Sequence, residues 1–286
     1  MKKNYIAILL IHIVMLGGCN SVTQPIDENS TYGDTPRIPR LGFTKKQRDI
    51  ADQFVSVFEN GTTKIQYGYA EDIGDDRGIT AGRSGFTSAT GDMLYVIEKY
   101  TKEEKENLLA PYRKELKRLE KLRYEQNDKS ASASTDNLKG LVAAWKKSAK
   151  DLRFREIQDE VTDELYYIPA LNQAKKIGLK YPVCILAFYD TNIMHGMDGL
   201  MEIIEHTNGE TNNITPKDGF DEVLWIEKFN KNRLKVMNEP KNKPWKESTA
   251  RVKELQDLIN NNNLHLRPFK MIIESYENEV FELGTE

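Results

Sequence analysis

Four carboxylates crowd one short stretch of this chain, Glu71-Asp72-Ile73-Gly74-Asp75-Asp76, and Arg77 follows them directly. An earlier glutamate, Glu59, ends an amphipathic segment, and a later aspartate, Asp92, stands where another segment begins. Gly78, Gly82 and Gly85 lie between the acidic turn and Asp92. Carboxyls held at different depths can divide labour, one donating a proton and another taking one up. Ionised together they also attract a cation. A wall of this kind suits acid/base chemistry on a sugar, or the binding of a positively charged substrate.

Position decides which carboxyl does what. Thr44 and Gln47 have the spacing of a capping box, which predicts a helix start just ahead of Ile50, Phe54, Val57 and Phe58 on one face. Glu59 follows that stripe and Asn60-Gly61 ends it. A carboxyl there sits at the rim of the core, partly desolvated, which favours the neutral form a general acid needs. From position alone, a solvated glutamate at a helix end is the simpler reading. Ile65, Tyr67 and Tyr69 alternate as a strand does, so a small antiparallel sheet is expected around residues 64–86. A second helix is expected from about Thr90, with Met93, Leu94, Ile97 and Tyr100 buried and Asp92 in the first turn, where the helix dipole favours an acid.

The remaining chain reads as helices. Pro111 opens one whose stripe includes Tyr112, Leu116 and Leu119, and residues 127–136 read as a loop. From Asn137 the helical period resumes through Leu141, Trp145, Phe154, Ile157, Val161 and Leu165, until Pro169 punctuates it. The run Pro182 to Met194 is too short and carries an aspartate, so it predicts a buried helix and not a membrane span. Asp190 inside it needs a cationic partner, and Arg233 and Arg251 are the candidates. His195, just beyond, reads as a structural histidine. Helices over Met201–His206 and Asp221–Met237 and a terminal hairpin from Pro268 complete a mainly α, α+β architecture.

The first residues are read apart from the fold. Lys2 and Lys3 precede an apolar run from Ile6 to Leu16, and Leu16-Gly17-Gly18-Cys19 resembles a lipoprotein processing site. Residues 1–18 are thus expected to be a signal peptide, with Cys19 as the lipidated residue anchoring an exported protein to a bacterial membrane; simple secretion is the alternative. Polar residues 19–41, with Pro25, Pro36 and Pro39, read as a disordered tether. Residues 42–286 form the catalytic domain. The chain has two cysteines, and Cys184 lies in the apolar run as a small hydrophobe, so no disulfide is expected. A formal net charge of −3 and no long basic run exclude nucleic acid as the partner.

The stretch Val57 to Asp92 resembles the signature region of the chitosanases of glycoside hydrolase family 46, especially the Bacillus-type branch. The likeness continues in NLKGLVAAWK from Asn137, DELYYIPAL from Asp163, FYDTNIMHG from Phe188, PKDGFDEVLWIEKF from Pro216 and WKESTARV from Trp245. It spans residues 42–280. The resemblance implies two helical lobes flanking a lysozyme-like cleft, with Glu59 as general acid, Asp75 as the base that activates water, and Thr80 as the residue that positions it. It further implies that Tyr69 and Arg77 contact sugar, that Asp92 pairs with a glucosamine ammonium, and that Asp190, Arg233 and Arg251 form a charge network supporting Glu59. Asp76 stands where the family pattern has glycine; Asp75 keeps the role of base because its spacing to Thr80 matches.

The activity so implied is endo-acting, inverting hydrolysis of the β-1,4 bonds of chitosan by a monomer that uses no cofactor or metal. Glu71, Asp72, Asp76 and Asp92 would attract the polycation. A muramidase acting on peptidoglycan and a non-catalytic sugar-binding lipoprotein are the competing readings; retention of both Glu59 and Asp75 argues against the second.

Overall fold

The computed structural model describes residues 42–239 and 248–285. The expected signal peptide, the tether and Cys19 lie outside the described residues, as does most of the segment between Asn238 and Lys246.

Thr44 caps α1 (Lys45–Asn60) with both arms of the expected box: its side chain accepts from the Gln47 N–H, and Gln47 Oε1 accepts from the Thr44 N–H at 2.9 Å. Gly61, at φ 67°, closes the helix in the left-handed conformation that glycine adopts without a Cβ clash. A three-stranded antiparallel sheet follows, β1 (Ala70–Asp72), β2 (Ile79–Ala81) and β3 (Phe86–Thr87), in the order β1-β2-β3 with Glu71 opposite Thr80. The sheet is shorter than the alternation suggested: residues 65–69 are not a strand. The polar groups of Tyr67 are taken by side chains from helices, and only the Tyr69 carbonyl reaches β2's end, accepting from the Gly82 N–H at 2.8 Å. Trp145 Nε1 and Gln158 Nε2 donate to the Tyr67 carbonyl at 3.0 and 3.2 Å, and the Tyr67 hydroxyl donates to Asp159 at 2.9 Å.

The helices α2 (Asp92–Glu103), α3 (Arg113–Tyr124), α5 (Leu141–Ser148) and α6 (Leu152–Thr162) pack with the sheet around Phe86, Trp145, Phe154 and Ile97. Between α3 and α5, the stretch read as loop holds a short helix, α4 (Lys129–Ser132), started by the Asp128 side chain on the Ala131 N–H. A second core gathers α1, α7 (Ile168–Ile177), α8 (Pro182–Glu210), α9 (Glu222–Asn238), α10 (Ala250–Asn260) and the hairpin of β4 (Phe269–Ile273) and β5 (Glu279–Leu283), around Phe54, Phe188, Trp225 and Phe229. None of the helices among the described residues is long and apolar enough to cross a membrane.

The two cores are joined by a continuous helical rod. Pro169 does not end it. α6 runs through a π turn, Asp163–Tyr167, into α7. Proline has no N–H and crowds the carbonyl four residues back. Here the carbonyls of Leu165 and Tyr166 accept instead from Asn192 Nδ2 on α8, at 3.4 and 2.7 Å. Tyr166, on the π turn, packs against both cores. α8 in turn breaks at Gly196, φ 69° and ψ 177°, one residue after His195.

Candidate active site

The end of α1 carries the first half of the site. Glu59 keeps about a quarter of its side chain exposed, while its partner Arg251, from the first turn of α10, is almost wholly buried. Both terminal nitrogens of Arg251 donate to Glu59 Oε1 at 3.0 Å. Behind it, Arg251 Nη2 meets Asp190 Oδ1 at 2.6 Å, and Nη1 of Arg233 meets Asp190 Oδ2 at 2.8 Å. Asp190 and Arg233 have no exposed side-chain surface. Burial alone would raise the Asp190 carboxyl; Arg251 and then Arg233 outweigh it and hold it below its ordinary value. Arg233, on α9, is lowered to about 10, chiefly by burial, and stays charged at neutral pH. The array therefore pairs two arginines with two carboxylates, so the cations are balanced before they reach Glu59.

His195 belongs to this array, though its sequence context marked it only as structural. Its Nε2 accepts from Arg233 Nε at 3.1 Å. Burial, with Arg233 and Arg251 nearby, pushes its pKa down to about 2. It is a neutral acceptor that satisfies the third side of Arg233.

The second half of the site comes from the sheet. In the β1–β2 turn, Asp75 accepts from its near neighbour Arg77: Nε to Oδ2 at 2.7 Å and the backbone N–H to Oδ1 at 3.2 Å. Asp76 between them adopts φ 60°. That left-handed value is the physical reason a glycine suits the position. Tyr69 sits beside the same turn, its hydroxyl raised above its ordinary value by burial and then by Glu71, with Asp75 adding to it. Glu71, Asp72 and Asp76 face solvent.

Thr80, in the middle strand, is buried, and its Oγ1 has no hydrogen-bond partner among the described residues. Gly85 ties this wall to the other. A Cβ built on Gly85 would lie 3.5 Å from Thr80 Cγ2 and 4.0 Å from Glu59 Oε2. The carboxyl of α1 and the threonine of β2 thus approach the same small space from opposite cores.

Asp92 is more deeply held than a first-turn acid on a surface helix. Oδ1 accepts from Thr87 N–H, Thr90 Oγ1 and Met93 N–H at 2.9, 2.7 and 2.9 Å, and Oδ2 accepts from the Tyr166 hydroxyl at 3.2 Å. Burial raises its carboxyl above the ordinary value, and these four hydrogen bonds only partly offset that. Tyr166 is the residue that sequence reasoning passed over. Its hydroxyl is raised far above the ordinary range, first by burial and then by Asp92, with Glu59 also contributing and Arg77 opposing. It stands among the three regions of the site. Its sequence signal was the tyrosine pair ahead of Pro169, inside the DELYYIPAL segment that resembles the family.

No group of histidine, cysteine or acidic side chains among the described residues is arranged to hold a metal ion.

The family profile of Glycosyl hydrolase family 46 matches residues 53–269. The chitosanase of Bacillus subtilis strain 168 is 43% identical over 250 residues, 84% of this chain and 87% of that protein. Among solved structures, a complex of the Gynuella sunshinyii chitosanase of this family with chitotetraose superposes with a TM-score of 0.77 at 39% identity, covering 85% of this chain and 100% of the other. A mutant chitosanase from Bacillus subtilis MY002, complexed with 6 GlcN, gives 0.77 at 41% identity over the same shares of the two chains. With the profile spanning most of both cores and every residue of the site just described, the chain belongs to glycosyl hydrolase family 46.

Proposed function

We infer that the protein is a chitosanase, an endo-acting glycoside hydrolase that cleaves β-1,4 bonds between glucosamine units with inversion at the anomeric carbon. The observation that carries this reading is the approach of Glu59 Oε2 and Thr80 Cγ2 to Gly85 from opposite walls, Glu59 braced by a neutralised arginine array and Thr80 holding a buried hydroxyl with no partner among the described residues. In this reading Glu59 protonates the leaving glycosidic oxygen. Asp75 takes a proton from water on the far face of the ring, and Thr80 Oγ1 orients that water. Tyr69 and Arg77 contact the sugar, so Arg77 exchanges its resting hold on Asp75 for the substrate. Asp92, beside Tyr166, receives a glucosamine ammonium, and the exposed Glu71, Asp72 and Asp76 draw in the polycation. No cofactor takes part, and the enzyme works as a monomer.

The test is the stereochemistry of the first product. Proton NMR of chitosan digests should show the α-anomer appearing first; an initial β-anomer would mean a covalent intermediate and would exclude Asp75 as base. Release of fragments from peptidoglycan in preference to chitosan would select a muramidase instead.

The proposed address rests on sequence alone: export, cleavage before Cys19, and lipid attachment to its thiol, with residues 19–41 as the tether. In a bacterial host the wild type should partition into detergent, and Cys19→Ser should not. A soluble wild type with an unmodified N-terminus would refute the anchor without touching the chemistry.

A further inference from the structure

A second buried ion array lies outside the catalytic residues named above. Arg83 occupies the β2–β3 turn, three residues after Thr80 and two before Gly85. Its Nη2 lies 2.9 Å from Asp52 Oδ1 on α1, and its Nη1 pairs with Asp159 on α6. Its backbone N–H donates to Gln158 Oε1 at 3.2 Å, and the next residue, Ser84, shares a 2.8 Å hydrogen bond with Thr162. Arg48 extends the array, meeting Asp52 at 2.9 Å, pairing with Asp163 in the π turn, and lying 4.2 Å over the ring of Tyr167. Tyr189 donates to Asp52 at 3.2 Å and Tyr67 to Asp159 at 2.9 Å. Burial alone would lower the Arg83 guanidinium, but Asp52 and Asp159 outweigh it and keep it charged.

The placement of Arg83 is what separates it from ordinary buried charge. Asp52 and Glu59 are seven residues apart on α1, about two helical turns along the same face. Asp52 holds one end of Arg83 on that helix, and Asp159 holds the other end on the rod that joins the cores. The turn so gripped carries Gly85, where an added Cβ would lie 3.5 Å from Thr80 Cγ2 and 4.0 Å from Glu59 Oε2. We propose that Arg83 is a positioning residue for the hydrolysis: its two-ended ion pair, to Asp52 and Asp159, sets where the Thr80 and Asp75 wall stands relative to Glu59. Such an anchor needs a planar fork that engages two carboxylates at once, which a lysine ammonium cannot reproduce. A displacement of about 1 Å between reacting groups costs roughly 100-fold in rate.

This inference rests on the chitosanase reading, and the experiment separates the two. Wild type, Arg83→Lys and Arg48→Lys are assayed on chitosan for kcat and KM, and the folded fraction is measured by circular dichroism. Arg83→Lys should lose at least about 10-fold in kcat with KM within about twofold, an estimate that follows from misplacement of reacting groups. Arg48→Lys, in the same array but tying α1 to the π turn in place of the β2–β3 turn, should lose stability and keep its kcat. Equal kcat losses in both, or a folded Arg83→Lys with wild-type kcat, would overturn the positioning role. If Arg83→Lys does not fold, Asp159→Asn replaces it: that variant releases one end of Arg83 and keeps the other, and an unchanged kcat would equally refute the proposal. A wild type inactive on chitosan would instead remove the reading beneath it.

Discussion

Arg251 points both terminal guanidinium nitrogens at a single oxygen of Glu59, Oε1, at 3.0 Å each, and leaves Oε2 facing Gly85. One oxygen is thereby fixed and the other is turned toward the opposite wall. The guanidinium is itself held from behind by Asp190, so the grip on Glu59 is rigid and the local charge is balanced.

Arg251→Met should therefore affect two properties at once. Asp190 would lose one of its two arginines in a fully buried position, which costs about 3–5 kcal/mol of stability. Turnover by the folded fraction should fall about 100-fold as Glu59 loses its orientation. Denaturant melts and kcat measured on the same samples check both, and an unchanged kcat per folded molecule would reduce the array to a structural role.

Glu59→Gln should lower kcat by about 10²- to 10⁴-fold, and Asp75→Asn comparably. Asp76→Asn should cost far less. Asp76→Gly should leave activity near wild type and raise stability by up to about 1 kcal/mol, because it relieves a non-glycine residue at φ 60°. If Asp76→Asn abolished turnover while Asp75→Asn did not, the base would be the other member of the pair.

Thr80→Val separates catalysis from stability. The Thr80 hydroxyl is buried without a partner among the described residues, so replacing it by a methyl should be neutral to stabilising by about 1 kcal/mol. Turnover should nevertheless drop, by less than in Asp75→Asn, since the hydroxyl orients water without taking its proton. Wild-type kcat in Thr80→Val would show that the hydroxyl has no part in the reaction.

Asp92→Asn should weaken action on chitosan, in proportion to the share of binding carried by its charge, and keep the fold. The sign of its stability effect follows from the raised carboxyl. A group raised in the folded state favours folding when protonated and opposes it once ionised, so the native aspartate costs stability as pH rises above 3.8. The asparagine, which can still accept from Thr87 and Met93, should match or exceed wild type at pH 7 and lose that advantage at acid pH. Equal cleavage of chitosan by the variant would leave Asp92 as a helix-start residue only.

His195 gives the molecule a measurable acid sensitivity. Its pKa falls from 6.5 to about 2 on folding, so between those values the unfolded chain binds a proton that the folded one does not. Its contribution is complete above pH 6.5 and is lost as pH falls below that value, at up to about 1.4 kcal/mol per pH unit. His195→Gln, which can accept from Arg233 and does not titrate, should flatten the stability difference between pH 7 and pH 5. A variant that lost stability as steeply as wild type would show that other groups set the acid limb.

Most of what works within a turn or two of chain was legible in the residues, the short helix α4 that Asp128 starts being the exception. The Thr44 box, the stripe that delivers Glu59 to the core rim, and the left-handed stop at Gly61 depend on neighbours within four residues, where backbone and side chain interact whatever the rest of the molecule does. The acidic turn was legible for the same reason, since Asp75 and Arg77 meet across two residues. Burial of a charge in an apolar helix pointed to Asp190 with Arg233 and Arg251 as its partners, and the likeness to a family tied all three to Glu59. Alternation over residues 65–69 misled because a strand is made by its partner. Tyr67 found its partners on α5 and α6, at separations of 78 to 92 residues, and no ladder formed. Pro169 misled in the same way: a proline ends a helix only if the carbonyl it strands stays unpaired, and Asn192 reaches it from 27 residues on. Tyr166, His195 and Arg83 owe their roles to partners that only the tertiary structure supplies: Asp92, Arg233, and the pair Asp52 and Asp159. Their partners are fixed by where two cores meet, and that seam is decided by burial of apolar faces from across the chain, which no local pattern encodes.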